Sequence, residues 1–179
     1  MLAYLAAAML AAPTPTPATP APDTTPLETA APWWEKITVT VDDKGAQQSC
    51  RYETSAAGAA GAAACDEAMA DSITASGKGS QGLFQKVTFE RRFSPGATLD
   101  AGKLSPGDTL LGRQVMFLTI DGNGAISSCK VVATAGDVPP DYGCAEARKE
   151  QFKADATSAN SARQAFMTVM AYGHSERLA

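Results

Sequence analysis

The stretch VMFLTIDGNGAISSCKVVAT, residues 115–134, decides the reading of this chain. Val115 to Ile120 is an apolar run with β-branched members. It ends in Asp121-Gly122-Asn123-Gly124, a hairpin turn signal because its glycines tolerate positive φ. A second strand then runs through Ala125 to Thr134, with Cys129, Val131 and Ala133 alternating onto one face and Lys130 onto the other. Pro139-Pro140-Asp141 breaks that strand and places Asp141 to cap a helix, along which Cys144, Ala147, Gln151 and Phe152 share a stripe. The run of large apolar residues from Gln164 to Tyr172, with Gly173 after it, reads as a third strand. The unit is therefore β-β-α-β.

The same unit stands earlier in the chain. At an offset of 79, Cys50 and Cys65 match Cys129 and Cys144 without a gap. Thr40 matches Thr119, Asp42 Asp121, Gly45 Gly124, Ser49 Ser128, Glu67 Glu146 and Ala75 Ala154. Ile37 to Val41, the turn Asp42-Asp43-Lys44-Gly45 and Ala46 to Thr54 repeat the hairpin, and Cys65, Ala68, Met69 and Ile73 repeat the helical stripe. A strand from Val87 to Phe93 follows, with Val87, Phe89 and Phe93 on one face and Thr88, Glu90 and Arg92 on the other. The expected fold class is α+β: two tandem β-β-α-β units with small antiparallel sheets, in residues 33–96 and 113–179. Ser94-Pro95-Gly96 and Ser105-Pro106-Gly107 mark an irregular connection, 97–112. Trp33-Trp34 open the folded part as apolar cover over the first unit.

Four cysteines allow three pairings, and a duplicated unit most simply closes its own bond: Cys50 with Cys65, and Cys129 with Cys144. Each bond would shut a loop of about 16 residues, which contributes roughly 3 kcal/mol in the loop-entropy account. Disulfides imply an oxidising compartment. Leu2 to Ala12 has the length of a secretory h-region, and residues 1–12 are read as a signal peptide to the periplasm. The run is shorter than the about 20 apolar residues of a membrane-spanning helix, so no stable span is expected. The Pro/Thr/Ala tract of residues 13–32 reads as an extended linker.

The second unit resembles the C-terminal domain of the TonB energy transducers, in its cysteine-bearing alphaproteobacterial type. The residues that carry the likeness are the strand Val115 to Ile120, Gly124, Cys129-Lys130-Val131, Thr134-Ala135-Gly136, Pro140-Asp141, Cys144 and Phe152-Lys153-Ala154. It covers about the last 65 residues and, more weakly, residues 35–93. The resemblance implies a periplasmic module that binds a protein or peptide of the cell envelope by strand addition. The strand Gln164 to Tyr172 is then the partner-binding edge, carried by Phe166, Met167, Thr168, Val169 and Met170. Two other readings stand beside it: Phe166, Val169 and Met170 are simply core, or each unit covers the other's edge in an internal pseudo-dimer.

Composition narrows the chemistry. A net charge of -4 with no basic stretch argues against nucleic acid. His174 is the only histidine and reads as an exposed tail residue. The cysteines lack the close spacing of a zinc site, and Gly122 and Gly124 do not open a helix as a phosphate loop would. Glu67 and Glu146 read as first-turn helix residues, and Asp42 and Asp121 as turn residues. The expectation is a non-enzymatic binding protein with no cofactor, metal or catalytic residue. The alternative is an enzyme or enzyme inhibitor that uses a cleft between the repeats.

Overall fold

A computed structural model describes residues 26–42, 47–56, 65, 84–154 and 161–175. The signal-peptide and linker readings up to residue 25 therefore lie outside the described residues. So do Asp43-Lys44-Gly45 and the helical stripe Ala68, Met69 and Ile73 with Glu67 and Ala75.

Among the described residues, six strands carry the fold: β1 (Trp33–Val41), β2 (Gln47–Thr54), β3 (Lys86–Pro95), β4 (Asp108–Ile120), β5 (Ile126–Gly136) and β6 (Arg163–His174). A helix, α1 (Cys144–Ala147), lies between β5 and β6. The strands form one antiparallel sheet in the order β2-β1-β3-β6-β4-β5. This corrects the expected α+β class with two small sheets: the molecule is predominantly β, and its two halves share a single sheet. The third strand of each half is long, and β3 and β6 satisfy each other's backbone groups along their shared ladder.

The duplication survives in the hydrogen-bond register. Val39 faces Cys50 and Leu118 faces Cys129, and the register shift between Thr40 and Val41 recurs between Thr119 and Ile120. The pairing departs from the offset at Val132, a bulge with no counterpart in β2, and again at the last strand. Lys36 faces Glu90, but its counterpart Val115 faces Thr168, one residue short of the offset. That shift makes Arg91 and Val169 counterparts, and they face each other across the seam. Phe89 opposite Ala171 and Phe93 opposite Met167 are then images of one another about that pair. A one-residue slip would have turned every side chain of β6 to the other face.

The core fills one face of the sheet. Trp33, Phe93, Met116, Leu118, Met167 and Val169 line it, and Ala147 of α1 and Phe152 pack over them. The rings of Trp33 and Phe93 stack with centroids 5.6 Å apart, and Phe152 follows at 5.3 Å from Phe93. Because β3 and β4 both pair antiparallel with β6, they run parallel, so residues 96–107 must return across β6. This strap lies over the opposite face, where Glu90, Thr168 and Met170 are buried. β6 is thus buried from both sides, and its long apolar run is the mark of such a strand.

Several local expectations change. The strand expected from Val115 to Ile120, after an irregular connection of residues 97–112, starts at Asp108 inside that connection. α1 is one turn long and begins after Gly143, whose N–H donates to Glu146 at 3.0 Å, so Asp141 is not its cap. Gln151 and Phe152 lie beyond it in isolated bridges to Ala125 and Leu27. The hairpin turn is as read: Asp121 Oδ1 accepts from the N–H of Asn123 and Ala125, and Gly124 holds φ +87° against the Phe152 carbonyl.

The end of the tract read as linker belongs to the fold. Leu27 donates its N–H to the Gln151 carbonyl and accepts from Lys153 N–H, both at 2.8 Å. The Trp33 indole donates to the Glu28 carbonyl at 2.9 Å. The Glu28 side chain accepts from the N–H of Ala30 and Thr29 and pairs with Lys153 at 2.9 Å. These contacts, with the Ala30 N–H foremost, hold its pKa at about 2, below the ordinary 4.5.

Met167 is 0% exposed, so Met167→Ala lowers unfolding stability in urea by about 2–5 kcal/mol. Val132→Ala, at a site 48% exposed, changes it by less than about 0.5 kcal/mol. Glu28 has a depressed folded pKa, so its contribution is present above 4.5 and is lost as pH falls through about 2. Melting temperature should therefore fall more steeply across that window in the native chain than in Glu28→Gln, the two converging at the acid end.

Candidate functional site

The five residues expected to form a partner-binding edge sit on β6, at the centre of the sheet. Phe166 faces Ser94 and Phe117, Met167 faces Phe93 and Met116, and Thr168 faces Arg92 and Val115. Val169 faces Arg91 and Gln114, and Met170 faces Glu90 and Arg113. With both sides of the strand paired, it presents no free edge in this sheet. Met167 and Val169 belong to the core, while the Thr168 hydroxyl donates to the Asp100 carbonyl at 3.0 Å under the strap. The internal pseudo-dimer is the arrangement adopted.

The seam between the halves is filled on both faces by residues 90–92. On the core side, Arg91 donates to Glu35 at 2.6 Å, Glu150 at 2.5 Å and the Tyr142 hydroxyl at 2.9 Å. Its guanidinium lies 4.9 Å from the Tyr142 ring centroid and 5.4 Å from that of Trp33. Burial pulls the Arg91 pKa down, but Glu35, Tyr142 and Glu150 outweigh it and the net shift is upward. Burial also raises Tyr142. These contacts join β1 and β3 of the first half to the segment around α1 of the second.

On the strap side, Glu90 is 1% exposed yet fully partnered: by Arg92, by Lys36 at 3.3 Å and by the Tyr172 hydroxyl at 3.0 Å. Burial first, then Glu90, pushes the Tyr172 pKa up. Arg92 reaches on to Asp100 at 2.7 Å, and the Gly102 N–H, which also binds Asp100, is the main cause of that carboxyl's lowered pKa. His174, read as a tail residue, is the last residue of β6 and pairs with Asp108 at 2.8 Å. Among the described residues, the space read as a cleft between the repeats is occupied by this network and the strap.

The outer edges of the sheet are β2 and β5. β5 is exposed along most of its length, with Val131 and Val132 40% and 48% exposed. Register shifts leave Ser127 and Val132 as extra residues, so Ser128–Val131 is a regular run between two bulges. In β2 the matching shift leaves Gln48 extra. Both cysteine pairs are bonded as the repeat implied, Cys50 with Cys65 and Cys129 with Cys144, at Cα separations of 5.9 and 5.6 Å. Each bond ties an outer strand, and no thiolate is left to serve as a ligand. Such bonds are compatible with an oxidising, exported location. No described helix is long and apolar enough to cross a membrane. The signal for the outer edges was present in the sequence: β5 is the more polar and less bulky strand of its hairpin, as an edge strand is.

Arg91→Met leaves Glu35 and Glu150 beside two rings without their cation and should lower stability by about 3 kcal/mol. Adding Glu150→Gln should restore part of that loss in the same urea titration. No protein-family model matches this chain, and neither does any curated protein or solved structure.

Proposed function

We propose that this chain is a non-enzymatic binding module of the periplasm that takes up an extended peptide or a strand of an envelope protein by adding it to the outer edge of β5. The observation that carries this reading is the position of β5: it ends the sheet, lies open to solvent, and is held from behind by β4 and by the Cys129–Cys144 bond. A strand fixed in this way is pre-organised, so a partner loses entropy mainly on its own side. The resemblance of the second half to a transducer C-terminal domain points to the same mode of binding, moved from the last strand of the unit to its second. An enzyme or inhibitor built on the seam finds less support, because the described seam is filled by the Arg91 and Glu90 networks.

Along β5 successive N–H groups alternate between β4 and the outside. Of Lys130→Pro and Val131→Pro, one therefore removes an outward donor and the other a donor to β4. The first should keep its melting temperature within a few degrees and lose a bound strand, and the second should lower it markedly. Binding retained by both folded variants would reject β5 as the site.

A further inference from the structure

The duplication allows the two outer edges to be compared position by position. Arg51 of β2 and Lys130 of β5 are counterparts in sequence and in register, and Glu53 matches Val132 by the sequence offset, the bulge at Val132 putting Ala133 opposite Val115 where Glu53 stands opposite Lys36. On β2 the cation is neutralised within its own strand, Arg51 to Glu53 at 2.9 Å. On β5 an exposed valine replaces the acid, and Lys130, the strand's only charged residue, has no ion pair among the described residues. Lys130 also stands inside the regular run Ser128–Val131, where an added strand can keep register between the bulges. Behind it, across the same face, stand Phe117 and then Phe166, half-buried, with ring centroids 5.3 Å apart.

We infer that the β5 edge selects an extended segment of another protein that carries an acidic side chain opposite or diagonal to Lys130, with apolar neighbours. This rests on the strand-addition reading above and adds the chemistry of the partner. Opposite charges placed across a strand pair are favourable and like charges are not. A second copy is the poorer occupant. A two-fold pairing of β5 with itself, centred on Cys129 or Lys130, sets the two Lys130 side chains diagonal or opposite on one face. A cation on an outer strand thereby discourages self-association while leaving the edge open to an acidic strand.

The test uses the full oxidised chain and three synthetic peptides of about eight residues, β-branched at alternate positions and differing only in a central Asp, Asn or Lys. Binding is followed by fluorescence anisotropy, and its place by amide hydrogen-exchange protection. The expected order is Asp tighter than Asn by roughly 2- to 5-fold and Lys weakest, with protection at Ser128–Val131 and the order reversed in Lys130→Glu. Equal binding of all three with protection on β5 overturns the acidic selection and leaves strand addition standing. No binding, or protection elsewhere, overturns both. Dimerisation of the native chain through β5, seen by sedimentation, overturns the choice of occupant.

Discussion

The ladder between β3 and β6 is the constraint on which the remaining structure depends. It joins strands from the two halves, runs the full length of β3, and turns on the facing pair Arg91 and Val169. Once these strands pair, neither half has a free third strand, and the outer edges of the sheet become the second strands of the two hairpins. The direction of the strands also compels residues 96–107 to return across β6, which gives the sheet its second covered face. One interaction thus fixes where the core lies, where the strap lies and which edges remain open.

The seam is polar where an apolar contact would have sufficed for burial. Glu90 and Arg91 are neighbours in sequence and point to opposite faces, and each meets opposite charge there: Lys36 and Arg92 for the first, Glu35 and Glu150 for the second. Their energetic return is modest, because desolvation offsets much of the attraction. Their effect on register is larger. A slip of one residue would bring Arg91 under the strap beside Arg92's partners and leave Glu35 and Glu150 without a cation.

The cysteines take a different part. Each bond joins an outer strand to the segment that follows it, so the strands with only one paired side receive a covalent tie in place of a second neighbour. A sheet edge ordinarily frays more readily than its centre. With Cys129 bonded to Cys144 at the start of α1, β5 is held against the core while its outer side stays open. The bulges at Ser127 and Val132 shorten the stretch that can accept a neighbour, which restrains indiscriminate pairing.

The sequence alone determined what local chemistry dictates. The turn at Asp121–Gly124, the two hairpins, the pairing of the four cysteines and the alternation of Val87 and Phe93 against Thr88, Glu90 and Arg92 were all legible, because each rests on neighbouring residues or on the repeat. Local pattern overran at α1, where a helical stripe continued to Phe152 although the chain leaves the helix after Ala147 and bridges to Leu27. The place of β6 was decided only by the tertiary structure. An apolar run such as Gln164 to Tyr172 has the same composition whether it faces a partner, a core or both faces of a sheet, and only its pairing with β3 and β4 distinguishes them. The merging of two units into one sheet has the same cause, since hydrogen bonds between strands so far apart in the chain leave no local signal in either strand.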